Sequence, residues 1–421
     1  MHREPLIMVC TCEIAGRVRG KGFPARDLPA RLAKGVGWVP TNTMISAFGP
    51  IYATPFGTTG DLILVPDSDT EVNVDFGDGG AAEHFFLGDI RQTDGTPWEC
   101  CPRHFLRRAL AALHEISGLT LLAAFEHEFV YTGVEAAPGA PYSLDAYRRQ
   151  GIFGEAFTAA LRAAGVAPDS FLPEYGTGQF EVTCDPTAGL RAADDAVITR
   201  EIARATALRL GHRAIFAPIL DPAGVGNGVH VHFSFRDADG RPVMHDPAGR
   251  LGLSPVAQHF VAGLLHHMPA LCAVTAPSSV SYIRMRPNRW APTHATLADR
   301  DRGASLRVCP VLTTPGADAA RQFNVEYRPA DAAASPYLAL GALVWAGVDG
   351  IRRALALPDS DGDKLPVTLG AALDALEATP QAADWFGATY LSAYLMHKRA
   401  ELASLDGLSE TEQCARYALT Y

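Results

Sequence analysis

Leu121–Gly133 reads LLAAFEHEFVYTG and is apolar except at Glu126, His127 and Glu128. The mix of Leu, Ala, Phe, Val and Tyr predicts a strand, in which side chains alternate between faces. Glu126 and Glu128 then share one face, about 7 Å apart, with His127 on the other. Two carboxylates side by side among apolar neighbours cost several kcal/mol (~) unless something compensates them. What compensates them decides what the protein does.

Three further segments repeat the pattern. GQFEVTCD places Glu181 on a strand seven residues after Glu174 of PEYGTG. VHVHFSFRD puts His230 and His232 on one face, and RQFNVEYRP does the same for Glu326 and Arg328. One such pair is easily a surface accident. Four strands that are polar on one side and apolar on the other predict a curved sheet whose concave face is a wet, charged site.

Carboxylates and imidazoles converging on one cavity repel each other unless cations sit among them. A donor set that is mostly oxygen favours Mg²⁺ or Mn²⁺ over zinc. Arg284, Arg302, Arg307 and Arg328 add forks of donors suited to phosphate and carboxylate oxygens. Divalent metal with an arginine cluster is equipment for phosphoryl transfer. GVGNG, which contains Gly226, lacks the Lys-Ser/Thr of a P-loop and reads as a turn that lets backbone approach a ligand. The HVH pair lacks the nearby Glu of a cupin iron site, and His127, His212, His266 and His267 read as structural.

The rest of the chain sets the frame. Its 421 residues are 48% hydrophobic and 19% charged, with net charge −10, which argues for a globular protein without a nucleic-acid partner. The longest apolar run, LALGALVWAG, is too short to span a bilayer, and the start shows no signal-peptide pattern. The eight cysteines match neither a zinc ribbon nor a C-x-x-C site, so reduced thiols in a cytoplasmic protein are expected. Residues 1–101 read as a small strand-rich domain and 102–421 as a large mixed one. CPRHFLRRALAALHEISG opens the second domain as a helix, from Pro102 to a stop at Gly118. Single amphipathic helices are expected over 143–165 and 187–211, a long helix after Pro336, and a last helix over 383–405.

With these segments in order, the sequence resembles the glutamine synthetase family. The resemblance rests on FEHEF, EYGTGQFEV, GNGVHVHFSF, SYIRMRP, DRDRGASLRV and VEYRPADAAASPYLALGALVWAGVDGI, spread over residues 100 to 355, with GVGW and GDLILVPD resembling the front domain. It implies an α+β fold: a small N-terminal β-grasp domain and a catalytic domain with a curved antiparallel sheet flanked by helices. It implies ATP and two or more divalent cations, one held by Glu128, Glu174 and Glu181 and the other by Glu126, His230 and Glu326. By the same similarity Arg284, with Gly226 nearby, would grip the α-carboxylate of glutamate. His232, Ser234, Arg302 and Arg307 would hold the nucleotide, and Arg328 would neutralise the transferring phosphoryl group. A homo-oligomer, a dodecamer of two stacked hexameric rings, is implied as well.

The departures from the family are informative. The family acid beside the Ala-Pro after SY-x-R is replaced by Trp290 in SYIRMRPNRWAP, and the acid of the N-terminal D-G-S segment gives way to Pro40, Thr41 and Asn42. Without those carboxylates the pocket no longer concentrates ammonium, whereas an indole face attracts an alkylammonium. The expected acceptor is therefore an organic amine, making the chain an ATP-dependent γ-glutamyl–amine ligase. An ammonia-using glutamine synthetase with a relocated acid, and a catalytically inactive relative, are the alternatives. Val225 stands where the family often supplies an Asn to the bound amino acid. The stretch 357–370 has no tyrosine, so the adenylylation known on a tyrosine there in some bacterial members is not expected.

Overall fold

The structure is a computed structural model that describes residues 2–137, 139–359 and 362–421. Ser360 and Asp361, within the tyrosine-free stretch 357–370 where adenylylation is not expected, lie outside the described residues. Near the N-terminus, β1 (Leu6–Cys12), β2 (Val18–Pro24), β3 (Val36–Trp38), β4 (Leu62–Pro66), β5 (Val72–Val74) and β6 (Glu83–Gln92) form one sheet. Its order is β2-β1-β6-β4-β3, with β5 also on β6. β1 and β6 run parallel and the other pairs antiparallel. The helix Leu28–Lys34 packs near β4.

The larger sheet contains β7 (Thr120–Tyr131), β8 (Pro168–Pro173), β9 (Gln179–Cys184), β10 (Thr187–Ala188), β11 (Ala214–Ile215), β12 (Val229–Arg236), β13 (Leu297–Asp299), β14 (Leu306–Val308) and β15 (Val325–Tyr327). The order β13-β14-β15-β12-β7-β9-β8 puts β7 and β12 at the centre. All pairs are antiparallel except β13 with β14. Burial along β7 alternates without a break: Leu121, Ala123, Phe125, His127, Phe129 and Tyr131 face the core, while Glu126 and Glu128 face the opposite, half-buried side. The core face of β7 packs on the helix Gly189–Arg209. The fold is thus α+β, as expected.

The helix Pro102–Ser117 begins with proline in its first turn and ends at Gly118, whose φ of 68° is left-handed. A residue with a Cβ disfavours that conformation, so the stop was readable. Other expectations need correction. The helix expected over 143–165 is two, Leu144–Arg149 and Phe153–Ala163, because Gly151 at φ 64° turns the chain between them. The helix Gly189–Arg209 is buried nearly all round rather than amphipathic. Its charges are satisfied inside: Arg200 donates to the carbonyls of Ala332 (2.8 Å) and Ala334 (3.2 Å). The stretch 383–405 splits at Gly387, and a further helix, Glu410–Thr420, follows it. That helix carries a capping box between Ser409 and Glu412, a readable S-x-x-E signal.

One ionic knot joins the two sheets' surroundings. Arg103, fully buried, donates to Asp194 Oδ1 (3.0 Å) and Oδ2 (2.9 Å), to Asp89 Oδ1 (2.8 Å) and to Asp67 Oδ2 (2.9 Å). Asp89 lies on β6 and Asp67 just after β4, whereas Asp194 belongs to the helix behind β7. Removing the guanidinium leaves the buried Asp194 with the Tyr337 hydroxyl in place of a cation, and leaves Asp67 and Asp89 to the exposed Arg107. Arg103→Met is expected to destabilise the fold by about 3–5 kcal/mol, read as a lower denaturant midpoint; an unchanged midpoint would show the knot to be dispensable.

Candidate active site

Strand register assembles the site. His230 on β12 lies opposite Glu126 on β7, Glu128 opposite Glu181 on β9, and His232 opposite Glu326 on β15. Arg307 on β14 in turn faces Glu326. Directly opposed residues share a sheet face, so these side chains form one row across five neighbouring strands.

The row is in close contact. His230 Nδ1 is 2.8 Å from Glu126 Oε1 and 3.3 Å from Glu326 Oε1. His232 Nε2 is 3.5 Å from Glu126 Oε2 and 4.0 Å from Glu326 Oε1, and it is buried without a hydrogen-bond partner. Its Nδ1 faces Asn324 Oδ1 at 3.0 Å. Arg307 Nη1 donates to Glu326 Oε2 (2.9 Å), and Arg328 Nη1 donates to Glu326 Oε1. On the other side Glu128 Oε2 accepts from the Gly228 backbone (2.7 Å) and from Gln179 Nε2 (3.3 Å). Glu174 Oε2 accepts from the Tyr142 hydroxyl at 2.8 Å.

The electrostatics follow from burial and crowding. Burial opposes ionisation of Glu126, but the hydrogen bond with His230 and the close approach of the His232 imidazole overcome it and hold that carboxyl below the usual range. Glu128 is raised, chiefly by burial. Glu181 is pushed up to about 10 by burial and by the charges of Glu126, Glu128 and Glu174. Such a carboxyl keeps its proton at neutral pH unless a cation takes the proton's place.

Does this set fit divalent cations? Glu126, His232 and Glu326 offer ligand atoms that all lie within 4.8 Å of one another. The unpartnered Nε2 of His232 points at the same two carboxylates. His230, which the family resemblance puts among the ligands, borders the group but spends its Nδ1 on Glu126. Glu128, Glu174 and Glu181 are close enough to repel, and two of them accept hydrogen bonds that a cation would share or replace. The donor chemistry suits Mg²⁺ or Mn²⁺.

Other candidate residues surround the row. A cavity of about 460 Å³ opens beside it, lined by His232, Ser234, Glu126, Asn324 and Phe323 among others. Arg284 is buried 3.7 Å from Asp331 Oδ2, and its Nε and Nη2 have no hydrogen-bond partner. Free guanidinium donors in a closed place suit an incoming carboxylate. A Cβ built on Gly226 would come within 2.3 Å of Arg284 Cγ, so only glycine lets that arginine lie across the turn. Arg302 sits exposed in the turn before β14, apart from the buried row. Trp290 is 77% exposed, while its carbonyl accepts from Arg328 Nη2 at 3.3 Å.

Several supporting residues escaped the sequence reading. Gln179 Nε2 reaches Asn227 Oδ1 and the Gly226 carbonyl, both at 2.9 Å, while Asn227 Nδ2 donates to the Ala217 carbonyl at 2.8 Å. Together they fix the turn that presents the Gly228 N–H to Glu128. Asp331, Asn324 and Tyr142 were also overlooked. Of these, Asn324 had a signal, lying two residues before Glu326 on the same strand face.

Comparison with known proteins identifies the family. Residues 99–417 match the family profile described as glutamine synthetase, catalytic domain, and residues 2–98 match the glutamine synthetase N-terminal domain. The chain is 33% identical over 441 residues to the gamma-glutamylpolyamine synthetase GlnA3 of Streptomyces coelicolor, covering 99% of this chain and 93% of that protein. The crystal structure of a novel glutamine synthase homolog superposes with a TM-score of 0.96 at 42% identity, covering 100% of this chain and 99% of the other. The ADP complex of GmaS superposes with a TM-score of 0.81 at 26% identity, covering 97% and 95%. Among the described residues no helix is long and apolar enough to cross a membrane.

Burial and the charges of Glu126, Glu128 and Glu174 favour the protonated Glu181 carboxyl, so a cation taken up there would displace that proton. Titrating the metal-free protein with Mn²⁺ at about pH 7 is expected to release about one proton per chain, with affinity rising as pH rises. Calorimetry in buffers of different ionisation enthalpy measures it; a heat independent of buffer would refute the assignment.

Proposed function

The chain belongs to the glutamine synthetase family, and from that premise we propose that it is an ATP-dependent ligase joining the γ-carboxylate of glutamate to an organic amine. Glutamine synthetase-type catalytic domains couple ATP to amide formation on glutamate; the choice of amine is specific to this chain. The observation that carries the choice is the segment Met285–Pro292, MRPNRWAP, which contains no carboxylate and carries an exposed indole at Trp290, whose backbone carbonyl is bonded to Arg328. The name of the Streptomyces relative, a gamma-glutamylpolyamine synthetase, supports the same direction.

In this reading Arg284 uses its free Nε and Nη2 to hold the glutamate α-carboxylate, with Gly226 giving it room. His232 and Ser234 line the nucleotide cavity, and Arg307 and Arg302 meet the phosphates. Arg328 is anchored on Glu326, so its guanidinium is already oriented toward a phosphoryl group in flight. Glu126, Glu128, Glu174, Glu181, Glu326 and the two histidines would hold Mg²⁺ or Mn²⁺, which, when bound, screens the charge of a carboxylate approaching triphosphate.

The chemistry balances in two displacements. A γ-carboxylate oxygen bonds to the terminal phosphorus of ATP as ADP leaves, giving γ-glutamyl phosphate. The amine nitrogen then bonds to the acyl carbon as phosphate leaves, and the nitrogen sheds its proton. Water must be kept from the acyl phosphate. The reading also places the chain in a homo-oligomer of two stacked hexameric rings, with Pro40–Asn42 reaching a neighbour's cavity.

Measuring ADP release with glutamate across mono-, di- and polyamines and ammonium tests the proposal. An organic amine is expected to exceed ammonium in kcat/KM; ammonium outperforming every organic amine would overturn it. Trp290→Ala is expected to lower kcat/KM for the preferred amine about 5- to 30-fold, the worth of a cation–π contact, while leaving the KM for glutamate unchanged.

A further inference from the structure

Two surface segments border the site without any strand to join them. One is the turn Asp221–Gly228, whose Gly226 backs Arg284 and whose Gly228 donates to Glu128. The other is Met285–Pro292, which carries Trp290. Neither is regular structure.

Arg289 connects them. Its Nη1 donates to the Gly224 carbonyl at 3.1 Å, and its Nη2 donates to the Pro222 carbonyl. The residues on either side, Asn288 and Trp290, both adopt left-handed backbone conformations, φ 64° and 55°. Asparagine adopts this state readily, but for Trp290 it is unfavourable and persists only where surroundings impose it. Asn288 and Trp290 are both exposed, so side-chain packing does not impose it. What remains is the pair of Arg289 bonds and the bond from Arg328 to the Trp290 carbonyl. Arg289 is therefore one link in an open series of contacts: Gly226 against Arg284, the turn to Arg289, Trp290 to Arg328, and Arg328 to Glu326. Arg286 belongs to the same segment but points away, to Glu410 (Nη1–Oε2 2.9 Å), and makes no link across the site.

We propose that Arg289 is a positioning residue that latches the Trp290 segment to the Asp221–Gly228 turn, and that this latch protects the acyl intermediate from water so that ATP use stays coupled to amide formation. The inference rests on the ligase reading above. The group touches neither substrate nor reacting atoms; it acts through the two segments it ties. When the latch is missing, water can take the place of the amine: a water oxygen bonds to the acyl carbon, phosphate leaves, and glutamate is regenerated, so ATP is spent without product.

The test is the ratio of ADP released to γ-glutamyl amide formed, measured with glutamate, ATP, Mn²⁺ and the best amine of the panel. The native protein is expected to give a ratio near one, and Arg289→Ala about threefold or more, because an opened site admits water to a reactive acyl group. Arg289→Lys, which retains one cationic donor group, is expected to fall between them, and Arg286→Ala to match the native ratio. A merely structural role would lower all rates together and leave the ratio alone. Should Arg289→Ala fail to fold, the lysine variant alone decides, its ratio above native supporting the latch and an equal ratio overturning it. If the native protein couples and the Arg289 variants couple equally, the latch is wrong and the ligase reading stands. If the native protein forms no amide with any amine, both fall together.

Discussion

The mutual repulsion of Glu126, Glu128, Glu174, Glu181 and Glu326 is the constraint around which this protein is built. Carboxylates this close and this far from bulk water cannot all be ionised by themselves, and the crowding shows as a Glu181 pushed up to about 10. Arg307 and Arg328 offset one edge of the cluster by pairing with Glu326, and His230 and His232 offset another at Glu126. Around Glu128, Glu174 and Glu181 the donors among the described residues are the backbone N–H groups of Gly228 and Tyr175, an amide and a tyrosine hydroxyl. A stability-driven core would have no reason to keep such an arrangement. Divalent cations held among these carboxylates would offset the repulsion, and in the proposed function they would also screen the phosphates and the carboxylate of the substrates.

The fold is the means of holding that cluster together. Strand pairing places each charged residue opposite another through backbone hydrogen bonds, so long side chains need not find each other by themselves. Behind β7, a buried helix and the Arg103 knot keep the central strands fixed against the N-terminal sheet. The substrate-binding candidates Arg284, Arg328 and Trp290 come instead from short or irregular segments at the rim. This division is common where a rigid sheet carries the cations and loops choose the ligand.

Much of the site was legible in the sequence because strand periodicity is strict. Glu126 with Glu128, His230 with His232, and Glu326 with Arg328 each sit two residues apart, and each pair falls on one face in the structure. Across-strand register was not legible, since nothing local says that Glu128 meets Glu181 or that His232 meets Glu326. For the same reason the choice between His230 and His232 at the carboxylates could not be made from spacing. Gln179, Asn227 and Asp331 were overlooked because their roles are tertiary: each supports another group from a distance in sequence. The helix errors have local causes. Gly151 and Gly387 turn the chain and split each expected helix in two, and the Ser409–Glu412 capping box starts one more helix near the end of the sequence. The buried helix Gly189–Arg209 looked amphipathic because Asp194 and Arg200 are charged, and their partners lie far away in sequence.

The most direct test of the central claim is anomalous diffraction from crystals grown with Mn²⁺. The account predicts manganese within the row, one peak touching Glu126 and Glu326 with a histidine and another touching Glu128, Glu174 and Glu181. Crystals with manganese only elsewhere, or with these carboxylates turned outward to solvent, would contradict it.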